Sequence, residues 1–457
     1  MSAIDRTREP APGAIRPFTF PGVERRTLAN GLPVVIAPHG DLPLVTVRIV
    51  VDAGAGTERP GEAGLATLVA NALEGGTERL AGGALAWELE RLGVQLETWV
   101  TWDALHLGCT AVREHLPAVL ALLAEIVRTP SFPAAEVERL REEQLAELLQ
   151  RQVEPRALAD DMAAHFIFSD ASPYARPLLG SRATVGSFDP DAVARFHAAR
   201  FAPRSAAIVL TGAIDADQAH VQLERSFGGW QTKPAPNEPA LPEPRSRSTV
   251  IHLVDRPGAV QSELRLGHVG ISRDHDDYFA VLVMNAILGG TFTSRLNLSL
   301  RERHGFTYGV RSGFAFRRRP GPFVIQTAVG TDVTIRATRE ALNEITALLE
   351  EGPTEAEVGA ARHYLAGVFP LELQTTEQLA ARLAELVIYD LPGDYFEQYR
   401  ARITAVTRDD VIRAARAHVR PRELTIVVVG DAAALHDELE GLGLAPVERH
   451  SLQTSAA

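Results

Sequence analysis

Apolar positions along the chain alternate between short strand-like runs and longer stretches with helical spacing. In the first part, residues 32–38 and 44–53 are predicted as strands, and in the second part residues 250–254 and 262–268. Between them, apolar side chains at helical spacing predict a helix over 63–73. Strands near both ends of each part, with helices between them, indicate an α+β fold in which helices cover one face of a mixed or antiparallel sheet.

This pattern occurs twice. An amphipathic helix, a Pro-Arg turn and a buried strand ending in glycine appear near the end of each part, and each matched residue is offset by 218 positions. The matched segments are residues 191–195 with 409–413, 203–204 with 421–422, and 208–212 with 426–430. The chain is therefore predicted to contain two copies of one domain.

A proline-rich stretch separates the copies. Residues 233–244 contain five prolines, which is typical of an extended, semi-rigid linker. We predict an N-terminal domain over 20–232, a linker over 233–247 and a C-terminal domain over 248–445.

Composition excludes several classes of function. The 457-residue chain has a formal net charge of −12, which argues against nucleic acid as a partner because phosphate neutralisation needs clustered Lys and Arg. No stretch has the length of a transmembrane helix, and residues 1–18 contain no apolar signal-peptide core, so we expect no membrane association and a cytoplasmic location. Cys109, the only cysteine, lies in an apolar run and is predicted to be a buried, inert thiol.

Motifs of the common catalytic sites are missing from the sequence. Among the fourteen histidines, no two lie within five positions of each other, so the zinc motifs HExxH and HxxEH are both absent. The densest set of possible ligands, residues 274–277, precedes a predicted helix and is interpreted as capping its first turn. The sequence also contains no nucleophile elbow and no P-loop. The residues alone thus predict two folded halves without a complete catalytic site.

The first half resembles the pitrilysin/insulinase family of zinc metallopeptidases, at residues 52–58, 64–66 and 74–77. In active members, the following helix carries HxxEH, whose histidines bind Zn²⁺ and whose glutamate acts as general base. The three corresponding residues here are Thr67, Ala70 and Asn71. The resemblance therefore implies that this chain binds no metal and is inactive alone. Glu147 matches the family's third ligand, but without the histidines it is interpreted as a solvated side chain.

The second half resembles the family's C-terminal segment at residues 289–291, 294–296 and 300–309. This resemblance implies that Arg301 and Tyr308 form the pair that binds the substrate backbone opposite the zinc, where two donors can hold a peptide carbonyl. The alternative is that Arg301 only caps its helix and Tyr308 only packs on a strand.

An edge strand over 95–101 matches the family strand that pairs with extended peptides. The chain departs from the family pattern there, because it has Glu97, Trp99 and Trp102 in place of small polar residues. The two tryptophans are interpreted as covering the wall of the cavity.

The resemblance extends from about residue 25 to 430, and it implies that the chain forms half of a clamshell. Our leading hypothesis is a non-catalytic, substrate-binding subunit of a heterodimeric peptidase. Its partner would be an HxxEH-bearing homologue that holds the zinc, and its substrate a peptide. The alternative is a structural or assembly subunit, like the core subunits of the mitochondrial ubiquinol-oxidising complex. A third possibility, an active peptidase with unusual ligands, has no support in the spacing of the histidines. The sequence specifies neither the partner nor the substrate.

Overall fold

The computed structural model describes residue 13 and residues 16–231 and 243–451. Residues 233–242 of the predicted linker lie outside the described residues, and the predicted domain boundaries stay a prediction.

The strands are β1 (Glu24–Thr27), β2 (Pro33–Pro38), β3 (Leu44–Val51), β4 (Glu97–Val100), β5 (Leu105–Val112), β6 (Ala206–Gly212), β7 (Val250–Asp255), β8 (Gln261–Val269), β9 (Val310–Phe314), β10 (Pro322–Gly330), β11 (Thr425–Gly430) and β12 (Val447–His450).

Helices connect the strands in both halves. The α-helices are α1 (Leu65–Ala72), α2 (Gly82–Arg91), α3 (Leu116–Arg128), α4 (Ala134–Val153), α5 (Pro155–Ile167), α6 (Arg182–Val185), α7 (Pro190–Arg200), α8 (Ala216–Phe227), α9 (Tyr278–Asn285), α10 (Thr334–Glu350), α11 (Glu355–Val368), α12 (Thr376–Ile388), α13 (Tyr395–Ala405), α14 (Arg408–His418) and α15 (Ala432–Gly441). No helix in the described part of the chain is both long enough and apolar enough to cross a membrane.

The two sheets have the same arrangement of five strands. The first sheet has the order β1-β2-β6-β3-β5-β4, and the second has the order β12-β7-β11-β8-β10-β9. In each, the closing strand pairs in parallel with the first inner strand and antiparallel with the next. The sixth strand differs between the two sheets. In the first sheet it is β1, which precedes the other five strands in the sequence, and in the second it is β12, which follows the other five. The predicted α+β fold with two similar units is confirmed.

The internal repeat is reproduced in the elements themselves. Helix α7 and helix α14 have identical lengths at the predicted offset, and each is followed by a short turn that begins at a proline, Pro203 or Pro421. Strands β6 and β11 follow these turns and are buried along their whole length. A completely buried central strand is what a continuous run of apolar residues indicates.

Each half contributes one helix to the outer face of the other half's sheet. Apolar side chains of α5, among them Met162 and Phe166, pack on Val427 and Val429 in β11 of the second sheet. The apolar side of α12 reciprocally joins residues of β2, β3 and β6 in one cluster. An ion pair between Arg265 Nε in β8 and Asp160 Oδ1 in α5, 2.6 Å apart, accompanies this packing. The sequence predicted helices on one face of each sheet, and it did not reveal this exchange across the second face.

Two local predictions need correction. The sequence predicts a helix over 293–303 that ends at Gly305, with Arg301 and Arg303 in its last turn. The structure has a wide π-helical turn over most of this range, Asn297–Arg303, and Gly305 follows it with a φ of +64°. The acidic residues before α9 do not cap it, since Asp277 at the N-cap position makes no side-chain capping hydrogen bond. Its carboxylate instead pairs with Arg413 and makes a 2.7 Å hydrogen bond with His418 Nε2, both in α14.

The single cysteine behaves as predicted. Cys109 is buried in β5, and burial raises the pKa of its thiol to about 12. A thiol with so high a pKa is almost entirely protonated at neutral pH and is a poor nucleophile.

Candidate functional site

The helix with the three motif positions, α1, begins at a tightly enclosed glycine. Gly64 has a φ of +91°, and a β-carbon there would lie 2.4 Å from the carbonyl oxygen of Leu179. The carboxylate of Glu58 accepts hydrogen bonds from the backbone N–H groups of Gly64, at 3.1 Å, and Ala66, at 2.7 Å. Burial raises the pKa of Glu58 to about 8, although these two donors and Arg176 act in the opposite direction.

The three motif positions point to different surroundings. Thr67 Oγ1 donates a hydrogen bond to the carbonyl oxygen of Leu178 over 2.8 Å. Ala70 is 1% exposed and belongs to the core of the first half, whereas Asn71 is exposed. Thr67 therefore binds a backbone carbonyl, Ala70 packs in the core and Asn71 faces solvent. These residues do not fit a zinc ion, and no catalytic step can be assigned to them.

Helix α4, which packs against α1, carries the position that matches the third zinc ligand. Glu147 is exposed, as expected of a solvated carboxylate. The buried polar residue of this helix is instead Gln144, whose Nε2 donates to the carbonyl oxygens of Gly64 and Leu179, each at 2.9 Å. Sequence reasoning missed Gln144, although its position midway between Leu140 and Leu148 on the apolar stripe signalled a polar group directed into the core.

In the second half, Arg301 lies on the wide helical turn and does not cap it. The centre of its guanidinium group lies 4.2 Å from the ring centroid of Phe292, which is itself 68% exposed. Its Nη1 atom is buried and makes no hydrogen bond, and the nearest carboxylate oxygen, of Glu302, is 3.4 Å away. The alternative in which Arg301 satisfies helix carbonyls through its side chain is not what the structure shows.

Tyr308 is the most exposed large hydrophobic side chain of the described residues, at 97%. It lines an open cleft of about 420 Å³ on the second sheet, together with Arg156, Glu263, Arg311 and Gln326. The alternative that Tyr308 packs on a strand is therefore wrong. Within the described residues, no hydrogen bond or ion pair joins Tyr308 to Arg301, so the structure places the two in the same segment without bringing their polar atoms into contact.

The edge strand β4 is shorter than predicted, because regular pairing with β5 begins only at Glu97. Trp99 stacks on His106 with ring centroids 4.7 Å apart, and the guanidinium of Arg48 lies 4.8 Å from the centroid of Trp99. Burial lowers the pKa of His106 to about 3, so its imidazole is neutral in this stack. Trp99 thus covers the face of the first sheet beside its open edge.

Trp102 has a different role from the predicted cavity lining. The guanidinium of Arg317, from the second half, lies 3.6 Å from its ring centroid and 4.4 Å from that of Tyr174. The neighbouring Asp103 accepts a hydrogen bond from the backbone N–H of Arg318 over 3.2 Å. Burial lowers the pKa of Arg317 to about 10 and raises that of Asp103. Trp102 therefore helps to join the two halves. Because the sequence predicts the two domains separately, a contact between them could not be predicted from it.

Comparison with known proteins agrees with this architecture. The family model described as "Insulinase (Peptidase family M16)" matches residues 34–181, and the one described as "Peptidase M16 inactive domain" matches residues 187–365. The chain belongs to peptidase family M16. Its sequence contains no HxxEH, and Thr67, Ala70 and Asn71 are the residues predicted to stand at the zinc-motif positions.

Several M16 relatives match over nearly their whole length. An uncharacterised zinc protease of Streptomyces coelicolor, SCO5738, is 25% identical over 91% of this chain and 92% of its own. A non-peptidase homologue of Helicobacter pylori, YmxG, is 23% identical over 88% of this chain and 92% of its own. The probable mitochondrial-processing peptidase subunit beta of Schizosaccharomyces pombe is 24% identical over 93% and 96%, respectively.

A solved M16 structure shows the same fold. The crystal structure described as a peptidase M16 inactive domain, from Pseudomonas fluorescens, superposes with a TM-score of 0.84 at 27% identity, and the match covers 90% of this chain and 98% of that one. The family and the fold are thus established independently of any single motif.

Proposed function

We propose that this chain is a non-catalytic, substrate-binding subunit of a heterodimeric M16 peptidase, in which it supplies Arg301 and Tyr308 to a zinc-bearing partner. The observation that carries the proposal is the 97% exposure of Tyr308 beside an open cleft. A large aromatic side chain held in solvent contributes nothing to the core of the chain on its own. Contact with a bound peptide or with a partner subunit would bury this side chain, which explains why a tyrosine stands at an exposed position.

The chemistry of the two residues suits a peptide backbone. Arg301 Nη1 makes no hydrogen bond within the described residues, and its 3.4 Å ion pair with Glu302 joins two partly exposed side chains, so the guanidinium can still donate to a carbonyl oxygen. The hydroxyl of Tyr308 can donate a second hydrogen bond, and two donors of this kind stabilise a developing oxyanion. The zinc-bound water and the general base must come from the partner, because α1 of this chain provides neither.

The sheet next to Tyr308 can also hold an extended chain. Strand β9 begins two residues later, at Val310, and forms the edge of the second sheet, paired only with β10. Its unpaired backbone groups could accept a peptide as an added strand. Arg265, Arg311 and Glu263 line the adjoining cleft, so the surface offers both signs of charge to substrate side chains.

The test mixes the purified chain with an HxxEH-bearing homologue from the same source and follows cleavage of a quenched fluorescent peptide. We expect the chain alone to be inert and the mixture to exceed the homologue alone. Arg301→Ala should lower turnover by about 100-fold, the scale of losing one oxyanion donor. It should leave the pair associated in analytical ultracentrifugation. Tyr308→Phe should have a smaller effect of the same kind.

Arg303→Ala provides the matched control, because Arg303 lies two residues away with a 65% exposed side chain whose nearest carboxylate, Glu340, is 4.0 Å distant. Its turnover should equal that of the wild-type pair. If the mixture gains nothing over the homologue, or if Arg301→Ala and Arg303→Ala behave alike, the substrate-binding role is refuted. A pair that associates without gaining activity would favour the assembly role instead.

A further inference from the structure

Three potential metal ligands converge on the outer edge of the second sheet, in the half that does not contain α1. His252 lies in β7, and Glu448 and His450 lie in β12. His252 Nδ1 is 3.1 Å from His450 Nε2 and 3.4 Å from Glu448 Oε2. The remaining pair, His450 Nε2 and Glu448 Oε2, is 3.9 Å apart. Three ligand atoms of the types that bind Zn²⁺ thus form one small triangle.

The size of this triangle matches a zinc coordination shell. Zn²⁺ binds imidazole nitrogen and carboxylate oxygen at about 2.0–2.2 Å, so two ligands of a tetrahedral ion are separated by about 3.3–3.5 Å. The three measured separations lie close to this value. We propose that His252, Glu448 and His450 bind a divalent transition-metal ion, with Zn²⁺ as the expected metal, at a structural site that fastens β12 to β7.

Strand pairing explains how the three side chains come together. Strands β7 and β12 are parallel, and Glu448 lies directly opposite His252 in the register. His450 is two residues further along β12 and therefore points to the same face as Glu448. Nearly two hundred residues of sequence separate His252 from the other two ligands, so closing that loop with a metal would reduce the entropy of the unfolded chain.

The surroundings favour a fixed arrangement of the ligands. His252 is 5% exposed and stacks on Phe166 of α5 with ring centroids 3.8 Å apart, and His450 lies 4.7 Å from the same ring. A metal there would also hold β12 against the helix donated by the first half. The charged and titratable neighbours are His165 and Arg245, and Arg245 is ion-paired with Asp170, which offsets its repulsion of a cation.

Two other clusters of possible ligands in the described residues are less suitable. In the first, Asp277 is already bound to Arg413 and to His418, and its own backbone N–H donates to His275 Nδ1. The second combines His436, Asp437 and Glu440 on the surface of α15, where neighbouring carboxylates are common without an ion. The cluster of β7 and β12 differs from the first because, within the described residues, Glu448 pairs only with the two histidines and with no arginine, and it differs from the second because it contains two imidazoles.

The experiment measures metal binding directly on the full chain prepared without a polyhistidine tag. The metal-stripped chain is titrated with Co²⁺, whose visible spectrum reports tetrahedral coordination, and with Zn²⁺ by calorimetry. We expect one ion per chain, and a thermal midpoint that rises on adding Zn²⁺ because the ion binds the folded state preferentially. His450→Gln and Glu448→Gln should each weaken binding at least 100-fold, since even outer-shell changes cost about 10–100-fold.

These two variants are chosen because His450 and Glu448 lie on a short edge strand and their side chains are 22% and 56% exposed, so both variants should fold. His436→Gln is the matched control and should bind Co²⁺ with unchanged affinity and spectrum. Binding that survives His450→Gln, or is lost in His436→Gln, would overturn the proposal, as would a chain that shows no tetrahedral Co²⁺ spectrum. None of these measurements depends on peptidase activity or on a partner subunit.

Discussion

Helix α1 of the first half and segment 289–309 of the second half lie in units of similar topology. They differ in how far their polar groups find partners within the chain. At α1, Thr67 bonds a carbonyl, Ala70 is packed and Glu58 accepts two backbone hydrogen bonds. In the second segment, Arg301 Nη1 makes no hydrogen bond in the described part of the chain and lies 3.4 Å from a carboxylate oxygen of Glu302, and Tyr308 lies in solvent. The comparison shows that Thr67, Ala70 and Glu58 make their contacts within the chain, whereas Tyr308 makes few contacts within it.

The largest effect on stability is expected when the glutamate of the zinc motif is introduced into α1. Ala70→Glu should lower the free energy of unfolding by about 3–5 kcal/mol, because Ala70 is 1% exposed and the new carboxylate would be buried without a partner. Urea denaturation followed by circular dichroism measures the change. Asn71→His, one residue further on the exposed side of the helix, is the control and should alter stability by no more than about 0.5 kcal/mol.

The triple variant Thr67→His, Ala70→Glu and Asn71→His should accordingly fail to become a peptidase. If it folded with wild-type stability and bound zinc at α1, the conclusion that packing has replaced this site would be refuted.

A second test uses the buried carboxyl group of Glu58. Its pKa is about 8 in the folded chain and near its ordinary value of 4.5 when unfolded. The folded state therefore retains a proton that the unfolded state loses, so the stability provided by the protonated group is complete below pH 4.5 and is lost as the pH rises through 8. Between pH 5 and pH 8 the free energy of unfolding of the wild type should therefore fall by about 3–4 kcal/mol through this group.

Glu58→Gln should remove that pH dependence, because its amide stays neutral and can still accept one backbone hydrogen bond. Glu58→Ala should instead be destabilised at every pH, since Gly64 and Ala66 lose their acceptor. Unfolding curves collected from pH 5 to pH 9 distinguish the two. An unchanged slope in Glu58→Gln would show that the carboxyl group is ionised throughout this range.

The sequence predicted the repeated architecture well, because that architecture rests on local signals. Apolar runs predicted the ends of the inner strands to within about two residues. The predicted offset of 218 positions also relates the whole of α7 to the whole of α14. Gly305 marked the end of its helical segment because a left-handed residue stops a helix. These features depend on neighbours in sequence, which a single chain displays directly.

Contacts between distant segments were not predictable in the same way. The exchange of α5 and α12 between the sheets, the stacking of Arg317 on Trp102 and the convergence of His252 with His450 all join residues far apart in sequence. A search for closely spaced histidines rules out a helical zinc motif, but it cannot detect ligands brought together by parallel strands. The expectation that this chain binds no metal rested on the residues at the motif positions of α1, which carry no information about ligands elsewhere in the chain.

The smallest expected effect compares two aromatic residues close to the sheet edges. Trp99 in β4 stacks on His106 and under Arg48, so Trp99→Ala should cost about 1–2 kcal/mol of stability. Tyr308→Ala should change stability by no more than about 0.5 kcal/mol, because its side chain is 97% exposed. Differential scanning calorimetry of the isolated chain measures both. A comparable loss in the two variants would mean that Tyr308 already packs in the unbound chain, and its exposure could no longer be taken as a sign of a binding surface.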